Sequence, residues 1–134
     1  MAKAEGIPPT ASVASVGPGL RYIGEHAYAL SGQVTDAASG SAATTCLDYT
    51  SGEGYIIAKF AFGSDATGAD TQFIDLSFND LSVFKTEYDN SPMINDDQIL
   101  KILIPPLTHV IWKWGISSGT KRLCVVMTGR VYGV

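Results

Sequence analysis

From Leu20 onward the apolar residues recur at every second position, the period of a strand with one buried face, and no stretch holds a three-to-four-residue helical period. His26 to Thr35 sets Tyr28, Leu30 and Val34 against Ala29, Ser31, Gln33 and Thr35, with Gly32 as a candidate bulge. Thr44 to Thr50 carries Cys46 on one side and Leu47 and Tyr49 on the other. Tyr55 to Phe62 groups Ile56, Ala58, Phe60 and Phe62, and Gln72 to Phe78 groups Ile74, Leu76 and Phe78. Leu81 to Thr86 follows an Asn79-Asp80 turn. Ile99 to Ile104 groups Leu100, Ile102 and Ile104, and Leu107 to Trp114 groups Val110, Trp112 and Trp114. In Lys121 to Tyr132, Leu123, Val125, Met127 and Val131 alternate with Cys124, Val126, Thr128, Arg130 and Tyr132.

Turn chemistry separates these runs: Asp36 to Ser41, Ser51-Gly52-Glu53-Gly54, Gly63 to Thr71, Glu87 to Asp97, and Gly115 to Thr120. Pro105-Pro106 forces a break, because proline donates no ladder hydrogen bond. About eight strands at a spacing of roughly 8–12 residues predict an all-β, two-sheet antiparallel sandwich. Long first and last strands suit central partners, which favours a jelly roll. The alternative is an immunoglobulin-like sandwich, although both tryptophans lie too close to the second cysteine for its Cys–Trp–Cys order. The domain is expected over residues 20–134. Residues 1–19, rich in Ala, Pro, Ser and Gly, carry no period and read as a flexible arm.

Composition shifts the picture toward assembly. Charged residues are 16% of the chain, against about 25% in an average soluble protein. Such a surface is expected to be covered in part by other subunits. Net charge is −4 and the basic residues are scattered along the sequence, which argues against a nucleic-acid partner. No apolar run reaches the ~20 residues of a membrane span. The first residues lack the apolar core of a signal peptide, so synthesis in the cytoplasm is expected. The arm holds Ile7, Pro8, Pro9, Val13 and Val16, an apolar set able to dock on a neighbouring subunit. Cys46 and Cys124 read as two buried thiols, with no disulfide implied.

The chain offers little for catalysis. The histidines are His26 and His109 alone, with no His-x-His, Cys-x-x-Cys or His-Glu-x-x-His spacing, so no zinc site is expected and each histidine reads as a strand-end or surface residue. There is no Gly-x-Ser-x-Gly elbow and no Walker or Rossmann glycine pattern. Asp48, Glu53, Asp75 and Glu87 could pair as glycosidase carboxylates, but isolated strand acids are ordinarily solvated. The acidic stretch from Asp89 to Asp97 matches no calcium-loop spacing. The expectation is therefore a non-enzyme with no catalytic, cofactor or metal residues. Of the aromatic set, Trp112 and Trp114 share a face with Val110 and read as core or as subunit interface. A carbohydrate- or receptor-binding module would instead need them exposed.

Four stretches carry a resemblance: Ser31-Gly32-Gln33-Val34-Thr35, Gly54-Tyr55-Ile56-Ile57-Ala58-Lys59-Phe60, Leu103 to Val110 around the proline pair, and Met127-Thr128-Gly129-Arg130-Val131-Tyr132-Gly133. Together, over residues 26 to 133, they resemble small β-sandwich structural proteins of tailed and marine bacteriophages. The resemblance implies a jelly-roll capsid decoration (cement) protein, often trimeric, located on the virion. Its partners would be the major capsid protein and its own copies, reached through the N-terminal arm. A vertex, minor capsid or tail-associated protein is a variant of the same reading. The resemblance assigns no catalytic residue.

Overall fold

A computed structural model describes residues 19–37, 40–66, 70–89 and 99–133. They form ten strands and, among the described residues, no helix: β1 Leu20–Ile23, β2 His26–Leu30, β3 Val34–Ala37, β4 Thr44–Thr50, β5 Tyr55–Ser64, β6 Thr71–Phe78, β7 Leu81–Asp89, β8 Ile99–Ile104, β9 His109–Ile116 and β10 Thr120–Tyr132. All pairings are antiparallel. One sheet has six strands in the order β1-β2-β10-β5-β8, with β3 also on β10. The other has four, in the order β4-β9-β6-β7. With β1 and β3 set aside, the chain is a long hairpin folded over itself. β2 pairs β10, β4 pairs β9, β5 pairs β8 and β6 pairs β7. This nesting across two sheets is the jelly-roll connectivity, and the immunoglobulin-like alternative falls away.

The differences from the sequence expectation have local causes. His26 to Thr35 is two strands, because Gly32 adopts φ +65°. The step from Leu30 to Val34 faces the shorter step from Val126 to Leu123, so the break is a bulge with one extra residue. Ser31 bridges it, donating its N–H to Val125 O (3.0 Å) and accepting Val125 N–H on Oγ (2.9 Å). The expected strand from Leu107 begins only at His109. Leu107 sits at φ +52° after the proline pair, and its N–H goes to Gly52 O at 2.8 Å. Ser51 completes that corner: its hydroxyl donates to Pro105 O (2.7 Å) and accepts Thr108 N–H (2.9 Å). The β4–β5 and β8–β9 crossings between sheets are thus tied to each other. Asn79 and Asp80 both have positive φ, as a two-residue hairpin between β6 and β7 requires. β7 runs on to Asp89, beyond the expected Thr86, because β6 continues to pair with it.

The core lies between the sheets. Trp112 on β9 stacks on Phe60 of β5 at 5.2 Å and packs against Phe62 at 5.1 Å, while Trp114 meets Phe62 edge-on. Both tryptophans are 0% exposed. Around them lie Leu47, Ile56, Ile74, Leu76, Ile104, Leu123 and Met127, all buried. Each such side chain contributes roughly 1.5–3 kcal/mol on leaving water. The Trp114 indole N–H donates to Gln72 Oε1 at 3.2 Å, which also accepts the Ser64 hydroxyl. The Trp112 Nε1 and Tyr49 hydroxyl are buried with no hydrogen-bond partner. Asp36 is the chief polar tie between sheets. From β3 it accepts the Thr44 hydroxyl and, on Oδ2 at 3.0 Å, the Ile116 N–H.

The cysteines are both free, but only one is buried. Cys46 is the extra residue of a β4 bulge between Thr45 and Leu47, turned into the core. Burial, then the negative charge of Asp36, then Cys124 push its thiol up to about 12. Cys124 corrects the expectation of two buried thiols. It alternates with buried Leu123 and Val125 and so faces outward, opposite Gly63, whose missing side chain leaves it uncovered. In the native protein at about pH 8, iodoacetamide is expected to modify Cys124 alone, because only thiolate reacts. Cys46 should become modified only on unfolding. Mass spectrometry showing both alkylated in the native state would contradict this burial.

Candidate functional site

Register places three rows of side chains on the outer face of the six-stranded sheet. The first row is Leu30, Val126, Ala61 and Ile99. The second is Arg21, Tyr28, Thr128, Lys59 and Lys101, and the third is Ile23, His26, Arg130, Ile57 and Leu103. Beyond the third row Tyr55 and Tyr132 stack at 5.5 Å, and the Arg130 guanidinium lies 5.6 Å from the Tyr132 ring centre. Ile23, Leu30, Ile57, Ile99, Leu103 and Tyr132 make up most of the exposed large apolar side chains of the described residues, and all are on this face. Scattered exposed hydrophobics are ordinary, whereas a contiguous set marks an interaction surface.

Charge is also sorted between the sheets. Every outward position of β1, β2, β5, β8 and β10 is free of acidic residues, and the acid of β3, Asp36, points inward. Arg130 is taken up by Glu25 in the β1–β2 turn. Arg122 is taken up by Asp65, which accepts its backbone N–H and its guanidinium. Those bonds hold the Asp65 carboxyl below its ordinary range. Lys59 and Lys101 stand directly opposite each other in register, with no ion pair among the described residues. The outer face of the four-stranded sheet is different. There Asp75 sits between Lys113 and Lys85, and Asp48 holds His109 Nε2 at 2.6 Å. That interleaving of signs is what a solvent-facing sheet ordinarily shows.

Trp112 and Trp114, expected in the core or at a subunit interface, lie in the core and present no ring face to a sugar or a partner. Ile7, Pro8, Pro9, Val13 and Val16 lie outside the described residues. His26 and His109 each open a strand and stand on the outer faces of different sheets. His109 with Asp48 forms an open acid–imidazole pair, 42% and 50% exposed. Among the described residues no group of His, Cys, Asp or Glu could hold a metal ion, and no helix is long and apolar enough to cross a membrane. The basic face escaped sequence reading because Arg21, Lys59 and Lys101 are far apart along the chain and meet only through strand pairing. The signal available was a lysine at the centre of each of two apolar strands, Tyr55–Phe62 and Ile99–Ile104. Comparison with protein-family models, curated proteins and solved structures finds no match to this chain.

Proposed function

We propose that this chain is an assembly protein, a bacteriophage capsid decoration protein that docks on the head shell through the outer face of its six-stranded sheet. The observation that carries a docking role is the outward-facing apolar set on this face, Leu30, Val126, Ala61 and Ile99 on one side of the lysine row and Ile57 and Leu103 on the other, uncovered by the described residues. The phage setting rests on the four resembling stretches of sequence. In this reading the partners are the major capsid protein and further copies of the chain, as a trimer. The N-terminal residues, with Ile7, Pro8, Pro9, Val13 and Val16, reach onto neighbours. Burial across a lattice stabilises by about 25 cal/mol per Å² before association costs, and repetition lets modest contacts act together.

Two measurements test the reading. The first is gene neighbourhood: major capsid, portal or terminase genes beside this one are expected, and a polysaccharide-utilisation cluster in their place would sink the phage setting. The second uses heads purified from that phage. The double variant Ile57→Ser/Leu103→Ser should lose binding in a cosedimentation assay while keeping its melting temperature, because both side chains are about half exposed in the free chain. Deleting Ala2 to Gly19 should weaken binding without unfolding the domain. Undiminished binding by the double variant would remove this face from the docking role.

A further inference from the structure

We infer that the partner surface met by this face is acidic: a protein surface that delivers carboxylates to Lys59 and Lys101 and covers the apolar rows on either side of them. This rests on the face being a docking surface, and it adds the sign of the partner.

The lysine pair carries the argument. Residues directly opposite in an antiparallel pair have Cβ atoms about 4.5–5.5 Å apart, and like charges there destabilise the sheet. The fold itself has no use for the cost. Lys101 lies on edge strand β8, where a lysine discourages unwanted strand pairing. Lys59 lies on β5, already flanked by β10 and β8, so that explanation does not reach it. Arg21 stands in the same row. A chain of net charge −4 has acids to spare, yet none occupies an outward strand position on this sheet. Its other sheet alternates lysine and aspartate across the strands. The positive face is therefore segregation, not composition.

The same pair selects among occupants. A second copy stacked face to face about a two-fold axis would set lysines against lysines across an apolar contact, and like-charge juxtaposition of that kind suppresses association. An anionic membrane would satisfy the lysines. However, here the apolar positions are spread along strand rows on either side of the charges, a layout that matches another protein surface better than a single protruding wedge does. A carboxylate-bearing, partly apolar protein surface satisfies both features together.

The test is amide NMR on the isotope-labelled full chain with three probes: a peptide alternating leucine and glutamate, its leucine–lysine counterpart, and phosphatidylcholine vesicles containing phosphatidylserine. The leucine–glutamate peptide should shift the amides of Lys59, Ala61, Lys101 and Val126, more weakly as salt rises. Lys59→Glu/Lys101→Glu should bind it roughly three- to tenfold more weakly, the range for losing exposed ion pairs, and should gain the leucine–lysine peptide. Equal shifts from both peptides would overturn the acidic partner and leave the docking face standing. No shift on this face from any probe would remove both. Vesicle binding through these amides, in preference to the peptide, would overturn the inference in favour of lipid.

Discussion

Trp112→Ala is expected to lower the folding free energy by about 3–5 kcal/mol, the range for truncating a buried tryptophan. Small domains hold only about 5–15 kcal/mol in total, so the urea midpoint should fall by a large fraction. The reason is position. Trp112 belongs to the four-stranded sheet but stacks on Phe60 and Phe62 of the six-stranded one, at the centre of the cross-sheet contact. A conservative pair of variants separates packing from hydrogen bonding. Trp112→Phe removes an indole N–H that has no partner and should lose only packing volume. Trp114→Phe loses a bond to Gln72 as well, worth about 0.5–1.5 kcal/mol net. Trp114→Phe should therefore be the more destabilising, and the reverse order in urea denaturation would contradict this account of the core. The same experiment bears on function. A sugar-binding role for either ring needs an exposed face, and blue-shifted, poorly quenched emission from the native chain is expected instead.

Much of the architecture was legible because strand alternation is a local property. The buried sets Ile56, Ala58 and Phe60, Ile74 and Leu76, and Val110, Trp112 and Trp114 are those that the period of two selects. The length of the last strand pointed correctly to a central position, since β10 pairs with β2, β3 and β5. What escaped depends on contacts far apart in sequence. The period that runs on from Leu20 does not single out Leu20–Ile23 as a strand of its own, and it is one because β2 lies beside it. Cys124 looked like a small hydrophobe in an apolar run, but its outward phase on β10 decides its exposure. Arg21, Lys59 and Lys101 share a row only through the β1–β2–β10–β5–β8 pairings. Lysines far apart in the sequence can thus stand side by side on a surface.

The sorting of the two outer faces also bears on what kind of assembly a jelly roll can enter. Its long hairpin buries one face of each sheet and leaves two flat exteriors. Here one exterior carries interleaved charges of both signs, and the other is apolar and basic with no acid at an outward strand position. A chain with one such face is suited to lie on a surface, because its opposite exterior stays wettable while the first is covered. Binding of this kind leaves the core untouched, which is why Ile57→Ser/Leu103→Ser and Trp112→Ala should divide cleanly: the first should alter association alone and the second stability.

Asp36→Ala is the second large effect, expected at about 2–4 kcal/mol. Asp36 is 1% exposed, and its carboxylate is the acceptor for the Ile116 N–H and the Thr44 hydroxyl. Alanine would leave the Ile116 N–H buried without that acceptor, and a buried donor left unsatisfied costs about 1–3 kcal/mol by itself. Asp36→Asn should recover most of the loss. Its amide oxygen can take the Ile116 N–H, while its amide N–H donates to Thr44 Oγ with the direction of the bond reversed. Cys46 supplies a local readout that global unfolding does not. It lies two residues from Thr44, and Asp36 is the second cause, after burial, of its raised thiol. Removing the carboxylate lowers that thiol toward its ordinary value. Alanine also frees β4 from β3, so local opening becomes easier. The loss of charge is common to Asp36→Ala and Asp36→Asn, whereas the freed tie belongs to Asp36→Ala alone, so local opening is what separates the two variants. Native-state alkylation of Cys46 should therefore be faster in Asp36→Ala than in Asp36→Asn, with Cys124 unchanged as the internal reference. If the two variants showed equal Cys46 rates despite different urea midpoints, Asp36 would be a general contributor to stability and not the tie that closes the sheets at β3, β4 and β9.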